Sequence, residues 1–156
     1  MIKKINSNNR GFTLVEVLVS ALIMGSIIVG LLQLFIYCSL LSEMSGNITI
    51  ATSEAQSKMD EIRNTTFSLI TTNYPSGTSF NLNQITGKGV IYIDSTTAPA
   101  NSNLYRIKIS VSWRNKNGRV IGSDKNLNGA IDAGEALDSD GNLDSLVKLV
   151  SYVANR

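Results

Sequence analysis

Residues 124–135 read Asp-Lys-Asn-Leu-Asn-Gly-Ala-Ile-Asp-Ala-Gly-Glu. Asp124, Asn126 and Asn128 alternate along the chain, so their side-chain oxygens can converge, and Gly129 permits a sharp turn after them. Ala130 offers a backbone carbonyl, Asp132 can coordinate directly or through water, and Glu135 can close the set with both carboxylate oxygens. The run fits D-x-[DN]-x-[DN]-G-x5-E without a gap. The chemistry implied is a cage of hard oxygens, which suits Ca²⁺ and its six to eight ligands. Ile131 stands where an apolar side chain would anchor such a loop on a sheet.

A second cluster follows at once: Asp138, Asp140, Asn142 and Asp144. It resembles the short DxDGNxD calcium stretches of extracellular repeat proteins, and would hold a second ion or lend ligands to the first. The expected cofactor is therefore calcium, one or two ions. Asp124, Asp132, Glu135, Asp138, Asp140 and Asp144 face a single cation, Lys125, within residues 123–144. Carboxylates this dense repel one another, and a bound cation would relieve that repulsion and close the loop. The flanks are strand-like, so a structural ion is expected rather than a sensor that opens on binding.

Other chemistries have little material. The chain has no histidine, which removes the commonest general base and the imidazole metal ligand. Its one cysteine, Cys38, allows neither an intramolecular disulfide nor a thiolate zinc site. Serines and threonines are plentiful but stand in no recognisable nucleophile motif, so no enzyme is expected. The net charge of +2 is too small to argue for nucleic acid.

The elements that must carry the loop are legible in outline. Residues 1–11 are polar and basic, with Lys3, Lys4 and Arg10. Losing them would change the net charge from +2 to −1, since three of 14 cations leave while 12 anions stay. From Val17 to Ser42 no residue is charged and no proline occurs. As a helix this stretch spans roughly 39 Å, enough to cross a hydrocarbon core of about 30 Å. The apolar run is longer than the core of an ordinary secretory signal, and no small-x-small cleavage site follows it cleanly. Basic residues before it place the N-terminus in the cytoplasm and the remainder outside. Glu16 stands at the start of this run, where an isolated membrane anchor would have no use for it.

After Glu43 the pattern becomes one-sided: Ile48, Ala51, Ala55, Met59 and Ile62 recur at helical steps. One long helix is predicted from near Phe12 to near Ile70, ended by Tyr74-Pro75-Ser76-Gly77. Strands are expected over Gly89–Asp94, Leu104–Trp113, Arg119–Ile121 and Ser145–Val153, with a hairpin turn at Asn115–Gly118. In the second of these, Tyr105, Ile107, Ile109, Val111 and Trp113 alternate with Arg106, Lys108, Ser110 and Ser112. The fold class is α+β: a long N-terminal helix, membrane-spanning then amphipathic, packed on a small antiparallel sheet with a calcium-loop insertion. The organisation is leader 1–11, membrane or filament-core helix 12–42, amphipathic half 43–72 and sheet part 73–156.

Gly11-Phe-Thr-Leu-Val-Glu16-Val-Leu-Val19, placed between a basic leader and a membrane-length helix, closely resembles the prepilin signature of type IV pilins and type II secretion pseudopilins. The resemblance implies that a membrane prepilin peptidase cuts between Gly11 and Phe12 and methylates the new Phe12 amine. It implies that Glu16 pairs with the amine of a neighbouring subunit, which low-dielectric physics supports because each charge alone is costly there. Ser26 and Gly30 are a small-residue pair suited to close helix approach. Many major pilins carry a proline in the first helix and a C-terminal cysteine pair; both are missing here. The stretch Ala51–Phe67, with Met-Asp-Glu-Ile-Arg at 59–63, resembles minor pilins and minor pseudopilins.

The expected function is a structural minor pilin or pseudopilin of a type IV pilus or type II secretion system. Expected partners are other pilin or pseudopilin subunits, prepilin peptidase and the membrane assembly platform. The expected location is the bacterial inner membrane, single-pass with the C-terminal part outside, then a periplasmic or cell-surface filament. The alternative is a single-pass, calcium-dependent binding protein that never polymerises.

Overall fold

A computed structural model describes residues 12–94 and 103–155. Helix α1 (Leu14–Arg63) is followed by α2 (Phe67–Asn73) and strands β1 (Thr78–Asn81), β2 (Gly87–Asp94), β3 (Leu104–Arg114), β4 (Val120–Ile121) and β5 (Val147–Ala154). The chain divides between Ser42 and Glu43 into two compact units. In the first, α1 is long and apolar enough to cross a membrane. Its side chains from Leu14 to Leu41, Phe35 and Tyr37 among them, are exposed.

The second unit is an α+β layer structure. The last third of α1 buries Ala51, Ala55, Met59 and Ile62, the stripe predicted from the three- and four-residue spacing. The alanines let the helix approach the sheet closely, and the longer Met59 and Ile62 fill space nearer its end. They share one core with Ile91, Ile107, Ile109, Val111, Trp113 and Val147 from the inner face of the sheet.

The helix stops earlier than expected, at Arg63 rather than near Ile70. Asn64, Thr65 and Thr66 follow, all weak helix formers, and Thr66 is extended at φ −56° and ψ 131°. Thr65 N–H reaches back only three residues to Ile62, the tightened bond of a closing turn. The break redirects the chain so that Ile70 of α2 is fully buried. Phe67 stacks on Tyr105 with ring centroids 4.5 Å apart.

All strand pairs are antiparallel. The sheet runs β1-β2-β3, and the far side of β3 is shared by β4 and β5. Register pairs Gly87 with Trp113, Val111 with Val147, and Trp113 with Ile121. The predicted turn at Asn115–Gly118 forms, with Gly118 at φ +82°. Strand β1 carries no strand signal in the sequence, because Thr-Ser-Phe-Asn is short and mostly polar. It is held by pairing: Phe80 lies opposite Gly89, where any side chain at position 89 would collide with the Phe80 ring.

Helix side chains pin the loops of this unit. Glu54 accepts the backbone N–H groups of Asn83 and Gln84 at 2.7 and 3.0 Å. Glu43 accepts that of Lys116 at 2.9 Å.

Candidate functional site

The polar side of β3 does not face water. Lys108, Ser110 and Ser112 are buried beneath the acidic loop, whose Leu143 packs on Val90 and Tyr92 as a second small core. Ser110 Oγ donates to the Leu143 carbonyl at 2.8 Å, and the Leu143 N–H donates to Tyr92 Oη at 3.2 Å. Leu143 is therefore the apolar anchor. Ile131, expected in that role, is 48% exposed.

Within 124–135 every predicted ligand residue bends around one turn. Asp124 is 1% exposed, and its two oxygens accept the N–H groups of Asn128 and Gly129 at 3.1 and 2.7 Å. Asn126 Oδ1 accepts Asn128 N–H, and Asn128 Oδ1 accepts Ala130 N–H. Both asparagine amides donate to the same Asp132 oxygen at 2.7 Å. Glu135 folds back to accept the N–H groups of Lys125 and Asp132 at 2.9 and 3.0 Å. Leu127 and Gly129 sit at φ +57° and +78°, the left-handed conformation that winds the turn. Gly129 also lies so close to Ser79 that a side chain there would clash.

The donor set is oxygen throughout, the chemistry a hard cation needs. Among the described residues, no group of three or more histidine, cysteine or carboxylate side chains is placed to hold a metal. Asn126, Asn128 and the Ala130 carbonyl would have to supply ligands beside the acids.

The second cluster meets cations of the protein itself. Lys108 Nζ lies 2.7 Å from Asp138 and 2.5 Å from Asp140. Arg106 bridges Asp140 and Asp94 at 3.1 and 3.2 Å, and Lys148 pairs with Asp144 at 2.6 Å. Asn142 N–H donates to Asp138 Oδ1 at 3.0 Å. Burial alone would raise the Asp138 carboxyl, but the Lys108 hydrogen bond and the N–H groups of Asn142 and Asp140 hold it below the usual carboxylate range. The Lys108 hydrogen bond likewise lowers Asp140. Burial works against the Lys108 charge, and its two carboxylate partners outweigh it and raise the ammonium above its ordinary value. The expectation that Lys125 faces six carboxylates alone overlooked cations from the sheet, which sequence distance conceals.

At the other end of the chain, the first turn of α1 is closed by two side chains. Thr13 N–H and Thr13 Oγ1 both donate to Glu16 Oε2, at 3.0 and 2.9 Å. Glu16 N–H donates back to Thr13 Oγ1 at 3.3 Å. This is a capping box, and its signal, Thr-x-x-Glu before an apolar run, is present in the sequence. That tetrapeptide overlaps the leader motif, which masks its capping signal.

A family model described as the prokaryotic N-terminal methylation motif matches residues 6–32. The chain carries the prepilin-type signature. A signature of this kind supports a type IV pilin-like protein. It implies processing by prepilin peptidase and assembly with other pilin subunits. Phe12 is exposed next to the capping box, whereas Gly11, the predicted last leader residue, lies outside the described residues. No curated protein and no solved structure matches the chain.

Proposed function

We propose that the prepilin-type chain is a minor pilin or pseudopilin subunit of a type IV pilus or type II secretion system. Prepilin peptidase cuts it between Gly11 and Phe12 and methylates Phe12, and α1 then packs among the helices of neighbouring subunits. The observation that carries this reading is the methylation signature opening directly onto a membrane-length apolar helix with Glu16 in its first turn. In a low-dielectric helix bundle an ammonium and a carboxylate each lose solvation, and pairing offsets much of that cost. Glu16 is the carboxylate available for the Phe12 amine of the next subunit. We further assign a structural Ca²⁺ to Asp124, Asn126, Asn128, Ala130, Asp132 and Glu135. The support is their unbroken fit to the calcium-loop pattern and their all-oxygen chemistry. Asp138, Asp140 and Asp144 then serve as the ion-paired closure of the loop, with the Asn142 N–H on Asp138.

Glu16→Leu should remain in the membrane yet be lost from filaments, as read by shearing and immunoblotting. Mass spectrometry of wild-type protein should find a mature chain starting at methylated Phe12. Normal filament incorporation of Glu16→Leu would overturn the assembly role. An intact leader would favour a single-pass binding protein that does not polymerise.

A further inference from the structure

The hairpin after β3 is fastened to the first helical turn beyond the uncharged run, which ends at Ser42. Glu43 accepts the Lys116 N–H at 2.9 Å, and Asn47, one turn on, donates its amide to Asn115 Oδ1 at 3.1 Å. The same oxygen accepts Trp113 Nε1–H at 3.0 Å, tying the hairpin to the core as well. Arg114, Lys116 and Arg119 project from it, all exposed. Among the described residues these are the cations whose side chains have no partner. Every other described lysine or arginine meets a carboxylate or, as Lys88 and Lys125 do, a backbone carbonyl. A groove of about 260 Å³ opens beside Arg114 and Lys116, and its one carboxylate is Glu43, already engaged by the Lys116 N–H. The unpaired positive charge is therefore gathered where the chain leaves its apolar run.

We propose that this hairpin docks on anionic phospholipids, with Arg114, Lys116 and Arg119 on their headgroup phosphates. This rests on α1 crossing a membrane, and not on filament assembly. A run of roughly 39 Å carries the helix through a hydrocarbon core of about 30 Å and brings Glu43 to the headgroup layer. One glutamate side chain and one hydrogen bond then join the helix to Lys116. That reach is comparable with the Debye length of roughly 8 Å at physiological ionic strength, so salt does not screen the cations from the lipid charge. Each cation so placed favours an anionic surface by about fivefold, and the two guanidinium groups match phosphate oxygens with paired N–H donors. The hairpin backbone is already held at Glu43 and Asn47, so docking orders little beyond three side chains.

The test places the full chain in phosphatidylcholine bilayers doped with spin-labelled phosphatidylglycerol or spin-labelled phosphatidylcholine, and reads its preference for the anionic lipid by electron paramagnetic resonance. Carbonate extraction comes first: a chain that washes out defeats the membrane reading itself, whereas an integrated chain without the preference defeats this proposal alone. Substituting Arg114→Gln, Lys116→Gln and Arg119→Gln together should cut the preference several-fold, and Arg114→Lys with Arg119→Lys should keep most of it. Arg63→Gln, at the far end of α1, should leave it unchanged, and the cations of residues 1–11 give a baseline common to all variants. Trp113 fluorescence reports folding. Should the triple variant unfold, the single substitutions decide, and at least one must lower the preference. An unchanged preference in the folded triple variant, or an equal loss in Arg63→Gln, overturns the proposal. So does a triple variant that keeps its lipid preference but is lost from filaments, which would assign the cations to an acidic surface of a neighbouring subunit.

Discussion

Lys108 occupies the polar side of an alternating strand, a position that ordinarily faces water, yet it is 7% exposed and clasped by two carboxylates. Removing one member of a buried ion pair leaves its partners charged and poorly solvated, which commonly costs about 3–5 kcal/mol. Asp140 is partly exposed, so Lys108→Met is expected to lose on the order of 3 kcal/mol. Trp113, the sole tryptophan and fully buried, provides the fluorescence signal for urea unfolding. The pH dependence has a definite sign. Asp138 and Asp140 titrate below their ordinary value. Their contribution is complete above about pH 4 and is lost as pH falls through the lower folded values. Lys108 titrates above 10.5, so its contribution is complete below that pH and is lost as pH rises through the folded value. Wild type should therefore hold a stability plateau from weakly acid to moderately alkaline pH. In Lys108→Met the acid loss should shrink, since the buried Asp138 without its cation favours the protonated form, while Asp140 keeps Arg106.

At the scale of elements, the last third of α1 is held by a narrow stripe. Ile62 is fully buried in the core that contains Ile70 and Trp113, at the last turn before the Asn64–Thr66 break. Ile62→Ala removes that side chain from the core it shares with Ile70 and Trp113 and leaves a cavity there. A loss of about 2–5 kcal/mol is expected, read by the same Trp113 fluorescence. Glu61, one residue earlier, accepts from Lys58 at 2.6 Å and from Tyr74 Oη at 2.7 Å. The Lys58 hydrogen bond, then that of Tyr74, holds its carboxyl below the usual range. It is an exposed network, so its loss should matter far less than Ile62.

For the whole molecule, the acidic loop is a second cover on the sheet. The last third of α1 lies on one face and residues 123–144 on the other, fastened by Leu143, Ser110 and Lys108. Calcium bound at Asp124–Glu135 would couple ion occupancy to this fastening. Chelation by EGTA should lower the melting temperature of the full chain in detergent substantially, and added calcium should restore it. An unchanged melt, with no heat on titrating calcium, would remove the ion from the account. The ion pairs at Lys108 predict that the Asp138–Asp144 portion stays docked even when EGTA is present, measurable as slow exchange of the Leu143 amide.

The leader motif, the apolar helix, the Ala51–Ile62 stripe and the alternation of β3 were legible because each is local. Their signals are periodicities and short spacings that a helix or strand reads out directly. The turn at 124–135 is local too, wound by hydrogen bonds among its own residues. What the sequence could not decide was which distant groups meet. Lys108 is 30 residues from Asp138, and nothing in either neighbourhood announces the pairing. The same holds for Leu143 taking the anchoring place expected of Ile131, and for β1, whose four residues become a strand only because β2 offers Gly89 to Phe80. Local chemistry fixes the elements and the candidate ligands, whereas the burial that turns a solvated acidic loop into an ion-paired cover exists only once the sheet has formed beneath it.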